Sequence, residues 1–199
     1  MSRIFHAILY RMEEKKQSVW ELVRFAIIAV LIVIPIRLFI AEPFVVSGSS
    51  MVPTFLDKDY LIVDKLSYKL NDPERYDVVI FKYPNDPKKY FIKRIIGLPN
   101  ETIEIKNNTT IIHSDQGSVE ITLTEPYANL LGNCSVATIN IMKKLNNNEY
   151  FVMGDNRYCS SDSRFWGSLK KDFITGKAFL RLLPVKNMDV WPGHYKQAE

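Results

Sequence analysis

One apolar run, FAIIAVLIVIPIRLFIA at 25–41, limits this chain more than any other feature. About 17 such residues is the lower end of what crosses a bilayer as a helix, and Phe44-Val45-Val46 can extend it. Pro35 and Arg37 interrupt the run. A spanning helix tolerates proline better than a soluble one does, and an arginine near one end can reach the headgroups. The competing reading is a helix buried in a soluble core. Arg3, Arg11, Lys15, Lys16 and Arg24 precede the run. The positive-inside rule then puts 1–24 in the cytoplasm, 25–41 in the membrane and 42–199 on the far side. Ala41 suits the end of a cleaved signal peptide, but Phe39 stands where such a site wants a small residue. The long stretch 1–24 also precedes the apolar core, so an uncleaved anchor in a cell membrane is expected.

The remainder reads as a mainly-β domain. Runs such as Tyr60-Leu61-Ile62-Val63, Thr102-Ile103-Glu104-Ile105, 77–83, 90–96, 110–113, 119–123, 150–153 and 178–182 favour strands. Between them lie turn signals, among them Asn71-Asp72-Pro73, Pro84-Asn85-Asp86-Pro87 and Gly97-Leu98-Pro99-Asn100. A folded-over antiparallel sheet or partial barrel is expected over 42–199. Residues 107–148 are polar, Asn-rich and irregular, and read as a variable insertion. A net charge of +4 with no arginine-rich stripe argues against a nucleic-acid partner. Cys134 and Cys159 form neither a disulfide framework nor a zinc-ligand spacing. Two free thiols is the simpler reading, although an oxidising compartment would allow them to pair. No metal or cofactor is expected.

Directly after the apolar run comes Ser47-Gly48-Ser49-Ser50-Met51, a cluster of hydroxyls at the mouth of the anchor. A serine becomes a useful nucleophile only when a positioned base takes its proton. The three histidines are poorly placed: His6 precedes the anchor, while His113 and His194 lie in the insertion and the tail. Gly-x-Ser-x-Gly is absent, since Val52 stands two residues after Ser50. Lysine is the other candidate base, provided that an apolar setting lowers its pKa from about 10.4. Lys93, between Phe91-Ile92 and Ile95-Ile96, meets that condition, although a lysine in a strand more often faces solvent. A third cluster, 153–167, combines turn formers, alternating charges and hydroxyls, and can orient a base or be an ordinary surface loop.

Together, Ser50-Met51-x-Pro53-Thr54, the segment 75–99 around Lys93, and Gly154-Asp155-Asn156 through Gly167 resemble the three motifs of the type I signal peptidases. The matches cover most of 42–99 and 150–167. The resemblance implies a membrane-bound serine endopeptidase that removes signal peptides from secretory preproteins, cutting after Ala-x-Ala. Ser50 would be the nucleophile and Lys93 the general base. Gly48 and Ser49 would help form the oxyanion site, and Ser160 would aim the Lys93 amine. Asp155 with Arg94, and Asp162 with Arg164, would be structural ion pairs. Val46, Ser47, Met51, Phe55, Phe91 and Ile92 would wall the substrate pockets. Partners would be preproteins and the lipid bilayer. Two departures stand out: Tyr76 occupies a position where the family usually has glycine, and Cys159 one where asparagine is familiar. A catalytically degenerate anchored β domain is the alternative, and it predicts loss of Ser50 or Lys93.

Overall fold

The computed structural model describes residues 2–114, 120–130, 134 and 140–196, with side chains from residue 19 onward. It divides into two compact units, Met1–Ile40 and Ala41–Glu199.

The first unit is a single helix, α1 (Ser2–Pro35), which continues through a wider turn at Ile36–Ile40. The change follows from Pro35, which has no N–H to donate and whose ring crowds the carbonyl one turn back. Val19–Ile40, 22 residues of mean hydropathy 2.5, is long and apolar enough to cross a membrane. The span thus begins six positions before the expected 25, and it stops short of Phe44, which lies in a strand.

The second unit carries twelve strands among its described residues, all paired antiparallel. Their ranges are β1 (Ala41–Val45), β2 (Tyr60–Asp64), β3 (Val78–Tyr83), β4 (Asp86–Gly97), β5 (Thr102–Lys106) and β6 (Thr109–His113). Next come β7 (Glu120–Thr122), β8 (Ile141–Lys144), β9 (Glu149–Met153), β10 (Leu169–Lys170), β11 (Ile174–Leu183) and β12 (Asp189–Val190). One sheet runs β1-β2-β11-β3-β4-β9-β10 with β12 beside β11, and a second runs β7-β6-β5-β8. The mainly-β, folded-over expectation is met.

Burial explains the strands. In β2, Leu61 and Val63 are buried while Tyr60, Ile62 and Asp64 are half-buried, the alternation of a sheet with one covered face. β3 and β9 read instead as continuous apolar runs because both of their faces are covered. Val78 and Ile80 of β3 join a core with Val46, Met51, Phe55 and Leu61, whereas Val79 and Phe81 join another with Ile95, Tyr150 and Val152. Phe151 and Met153 of β9 face a third, with Ile103, Ile105, Ile112 and Leu145. Each fully buried side chain of this kind stabilises the fold by about 1.5–3 kcal/mol. At Gly97 the chains approach too closely for any side chain, since a Cβ there would lie 1.9 Å from Ile103 Cδ1.

The polar stretch 107–148, read as an insertion, supplies β6 and β7 where strand runs were expected and β8 where none was, with Thr110, Ile112, Leu123 and Leu145 buried. β8 left no mark in the sequence because Ile141–Lys144 is short and mostly exposed. Val119, expected to begin a strand, lies outside the described residues.

Candidate active site

Past β1 the chain stays beside 58–59, through Val46 N–H to Asp59 O at 2.9 Å and Lys58 N–H to Val46 O at 2.9 Å. It then turns at Gly48, whose φ of +94° is a conformation L side chains rarely adopt. Val52 N–H closes a turn on Ser49 O at 3.1 Å. Met51 and Phe55 anchor this turn in the core, with 1% and 0% of their surface exposed. Ser50 is thereby held at the surface of a packed element. Asn156 grips it from the opposite side: its N–H donates to Ser50 O at 3.0 Å, and its side-chain amide to Ser49 O at 3.1 Å.

Lys93 comes from β4, opposite Val79 of β3. Its Nζ lies 2.7 Å from Ser50 Oγ and donates to Ile92 O at 2.9 Å. Only 4% of the residue is exposed. Burial pushes its pKa down to about 8, against the opposing pull of Asp162 and Asp155. Those two carboxylates are themselves matched by cations. Asp155 receives Arg94 Nε at 2.8 Å and Nη2 at 2.6 Å. Asp162 receives Arg164 Nε at 2.8 Å and Nη2 at 2.9 Å, and accepts the Gly154 N–H at 3.0 Å. The amine therefore meets neutralised pairs rather than bare anions, and desolvation dominates.

Beside the pair opens a cleft of about 470 Å³. Residues 44–50 form one wall and 89–93 the other, with Leu61 and Ile80 beneath. The rings of Phe44 and Tyr90, 5.1 Å apart, bring the walls together. Both walls are sheet edges among the described residues: β1 pairs only with β2, and β4 meets β9 only from Arg94 onward.

The structure brings together Ser50, Lys93 and both ion pairs as expected from the sequence, and it seats Val46, Ser47, Phe91 and Ile92 in the cleft. Three expectations change. Met51 and Phe55 pack behind the nucleophile turn rather than into the cleft. The Gly48 N–H is taken by Asp57 Oδ1 at 2.9 Å, so it is not an available oxyanion donor. Ser49 lines the cleft, and its carbonyl accepts from Asn156 and Val52. Ser160 does not bond Lys93: its buried Oγ has no hydrogen-bond partner and sits over Gly154, where an added Cβ would come within 2.3 Å of it. Leu61, Ile80 and Tyr90 are cleft residues that sequence reasoning missed. Leu61 and Ile80 carry no signal beyond strand pattern, and only the folding of the sheet turns them under the cleft.

A sequence profile of the signal peptidase, peptidase S26, family matches residues 19–183. The chain belongs to that family. It is 36% identical over 180 residues to a probable signal peptidase I-2 of Synechocystis, a match covering 87% of this chain and 78% of that one. It is 35% identical over 182 residues to signal peptidase I P of Bacillus subtilis, covering 88% and 94%. A crystal structure of a signal peptidase I from Enterococcus faecalis aligns at 28% identity with a TM-score of 0.43, covering 54% of this chain and 97% of that one. The peptidase is membrane-anchored through its apolar helix.

Both departures from the family pattern now have a structural account. Tyr76 adopts φ +73°, the left-handed region where glycine is at ease. Its ring packs edge-on against Tyr127 and Tyr195 at 6.0 and 5.0 Å, and this packing offsets the backbone cost. Cys159 is bonded to Cys134, which corrects the reading of two free thiols. The two cysteines lie 25 positions apart in sequence, and only the fold brings their Cα atoms to 5.2 Å.

Proposed function

We propose that this peptidase removes signal peptides from secretory preproteins, with Ser50 as nucleophile and Lys93 as general base. The observation that carries the reading is a buried lysine amine 2.7 Å from a serine hydroxyl at the head of a cleft. With its pKa pushed down to about 8, a usable fraction of the amine is free base near neutrality. It takes the Ser50 proton as Oγ attacks the scissile carbonyl. The resulting ammonium returns that proton to the departing amine, and a water then hydrolyses the acyl-enzyme by the same route. Ser50 N–H is no donor in any other hydrogen bond of the described residues and is the backbone group available to the oxyanion.

The two open strand edges favour a substrate that enters as an added strand, pairing with 44–48 on one side and 89–92 on the other. Its alternate side chains then meet Val46, Leu61, Ile80 and Ile92, a narrow apolar floor that suits alanine and excludes leucine. The charges Arg3, Arg11, Lys15 and Lys16 before the span support a single crossing with the stretch before Val19 cytoplasmic and the β domain beyond the membrane.

The test is cleavage of a preprotein with an Ala-x-Ala site by detergent-solubilised wild type, Ser50→Ala and Lys93→Ala. The reading requires wild type to cut after the second alanine and both folded variants to be inert. Activity retained by either variant removes that residue from its role.

A further inference from the structure

Residues 125–129 lie along the side of the catalytic loop 154–160 that faces away from Ser50. Asn129 N–H donates to Asp155 O at 2.7 Å, and Arg157 N–H donates to Asn129 O at 3.1 Å. These bonds form a short parallel bridge between Asn129 and Asn156. The Glu125 carboxylate receives both terminal nitrogens of Arg157, together with the hydroxyls of Thr110 at 2.9 Å and Tyr127 at 3.0 Å. Arg157 and Glu125 side chains are only 5% and 8% exposed. Arg157 Nε meanwhile donates to Gly154 O at 3.1 Å, so the guanidinium ties Glu125 directly to the loop backbone. The Tyr127 ring covers the Arg94 guanidinium at 4.0 Å. A few residues on, Cys134 is bonded to Cys159 at the loop's far end.

The inner side of that loop holds the nucleophile, since Asn156 donates to the carbonyls of both Ser49 and Ser50. A buried ion pair adds little net stability compared with an apolar replacement, because desolvation offsets its attraction. Its more valuable property here is geometric: the two-pronged grip leaves Arg157 one orientation, and Arg157 leaves Gly154 and Asn156 one position. We propose that 125–130 is a strap in which Glu125 is a positioning residue for Ser50, acting through Arg157 and Asn156, and that the Cys134–Cys159 bond pins the same loop at its far end. The inference rests on Ser50 being the nucleophile. It assigns a role in the reaction to a segment whose composition reads as an insertion.

Glu125 does not line the cleft, so loosening its grip on Arg157 moves the hydroxyl while leaving the walls at 44–48 and 89–92 in place, whereas Cys159 lines the cleft itself and its bond to Cys134 touches both. A misplacement of about 1 Å can cost on the order of 100-fold in rate. The experiment measures kcat and KM of the full-length enzyme in detergent, well below the melting temperature. Glu125→Gln, Cys134→Ser, wild type treated with a phosphine reductant, and Ser50→Ala are compared. Glu125→Gln is expected to lower kcat by about tenfold or more with KM changed by less than about twofold. Cys134 is exposed, so Cys134→Ser empties no buried space and provides a second variant should Glu125→Gln fail to fold. It should lose several-fold in kcat and be indifferent to reductant, while reduced wild type falls to the same level and recovers on reoxidation.

If Ser50→Ala still cleaves, the nucleophile assignment itself fails and the strap has nothing to position. If Ser50→Ala is inert while folded Glu125→Gln and Cys134→Ser keep wild-type kcat, or show only a raised KM or a lowered melting temperature, the strap is merely structural and the proposal is overturned.

Discussion

Arg94, the residue after Lys93, closes a two-pronged ion pair on Asp155, and neither side chain has any exposed surface. The pair joins the strand that carries Lys93 to the loop that holds Ser50. Arg94 Nη1 also reaches Tyr76 O at 2.9 Å and Gly193 O at 2.6 Å, and Thr54 Oγ1 donates to Asp155. The two halves of the dyad therefore share one satisfied polar network.

Removing one partner strands a buried charge. Arg94→Met or Asp155→Leu alone is expected to cost about 3–5 kcal/mol, and the double variant at least about 1 kcal/mol less than the sum. Denaturant unfolding of the four proteins checks this. Additive losses would show that the pair is not energetically coupled.

The pH dependence follows from Lys93, whose pKa burial pushes down to about 8. Below that value kcat/KM is expected to fall about tenfold per pH unit, and above it to level off. A profile of preprotein cleavage between pH 5.5 and about 9.5 decides; a flat acid limb would contradict a lysine base. The sign for stability is the reverse of that for an ordinary paired lysine. Between about 8 and the free-lysine value of about 10.4 the unfolded chain binds more protons than the folded one, so this group makes stability rise with pH. Below about 8 both states are protonated and the burial cost is fully present. Lys93→Met should therefore be inactive yet more stable than wild type at pH 7, with the difference shrinking as pH approaches 10.

Gly154 is where the loop can least accept a side chain. A Cβ there would fall 2.4 Å from Ser50 O and 2.3 Å from Ser160 Oγ, and Ser50 O is backbone that cannot swing aside. Gly154→Ala is expected to shift the nucleophile and lower kcat on the order of 100-fold. Single-turnover cleavage with folded variant measures it; wild-type kcat would mean that the loop backs away without moving Ser50.

Local pattern made much of this protein legible. A long apolar run announces a spanning helix in any context, because backbone groups in lipid must be satisfied within one segment. Alternating or continuous apolar runs marked β2 to β6 and β9, since side chains of a strand address two faces in strict turn. Ser50, Lys93 and the loop 154–167 stood out through motif resemblance, and the charge pairs within them found each other as expected.

What stayed hidden depends on contacts between distant segments. β1 is short and contains Pro43, and it becomes a strand by pairing with β2. Met51 and Phe55 differ from Val46 and Ile92 in no visible way as a sequence, yet packing turns the first two inward and the others to the cleft. Cys134, Glu125 and Asn129 carry no local signature, and their partners Cys159, Arg157 and Asp155 are 25 or more positions away. The sequence by itself determined the anchor and the β class and singled out Ser50 and Lys93 as candidates, because hydropathy, side-chain alternation and motif spacing are local properties. Only the tertiary structure decided the depressed pKa of Lys93, the floor of the cleft and the grip of 125–129 on the loop 154–157, because desolvation, cleft shape and cross-linking arise from segments that meet only when the sheets fold together.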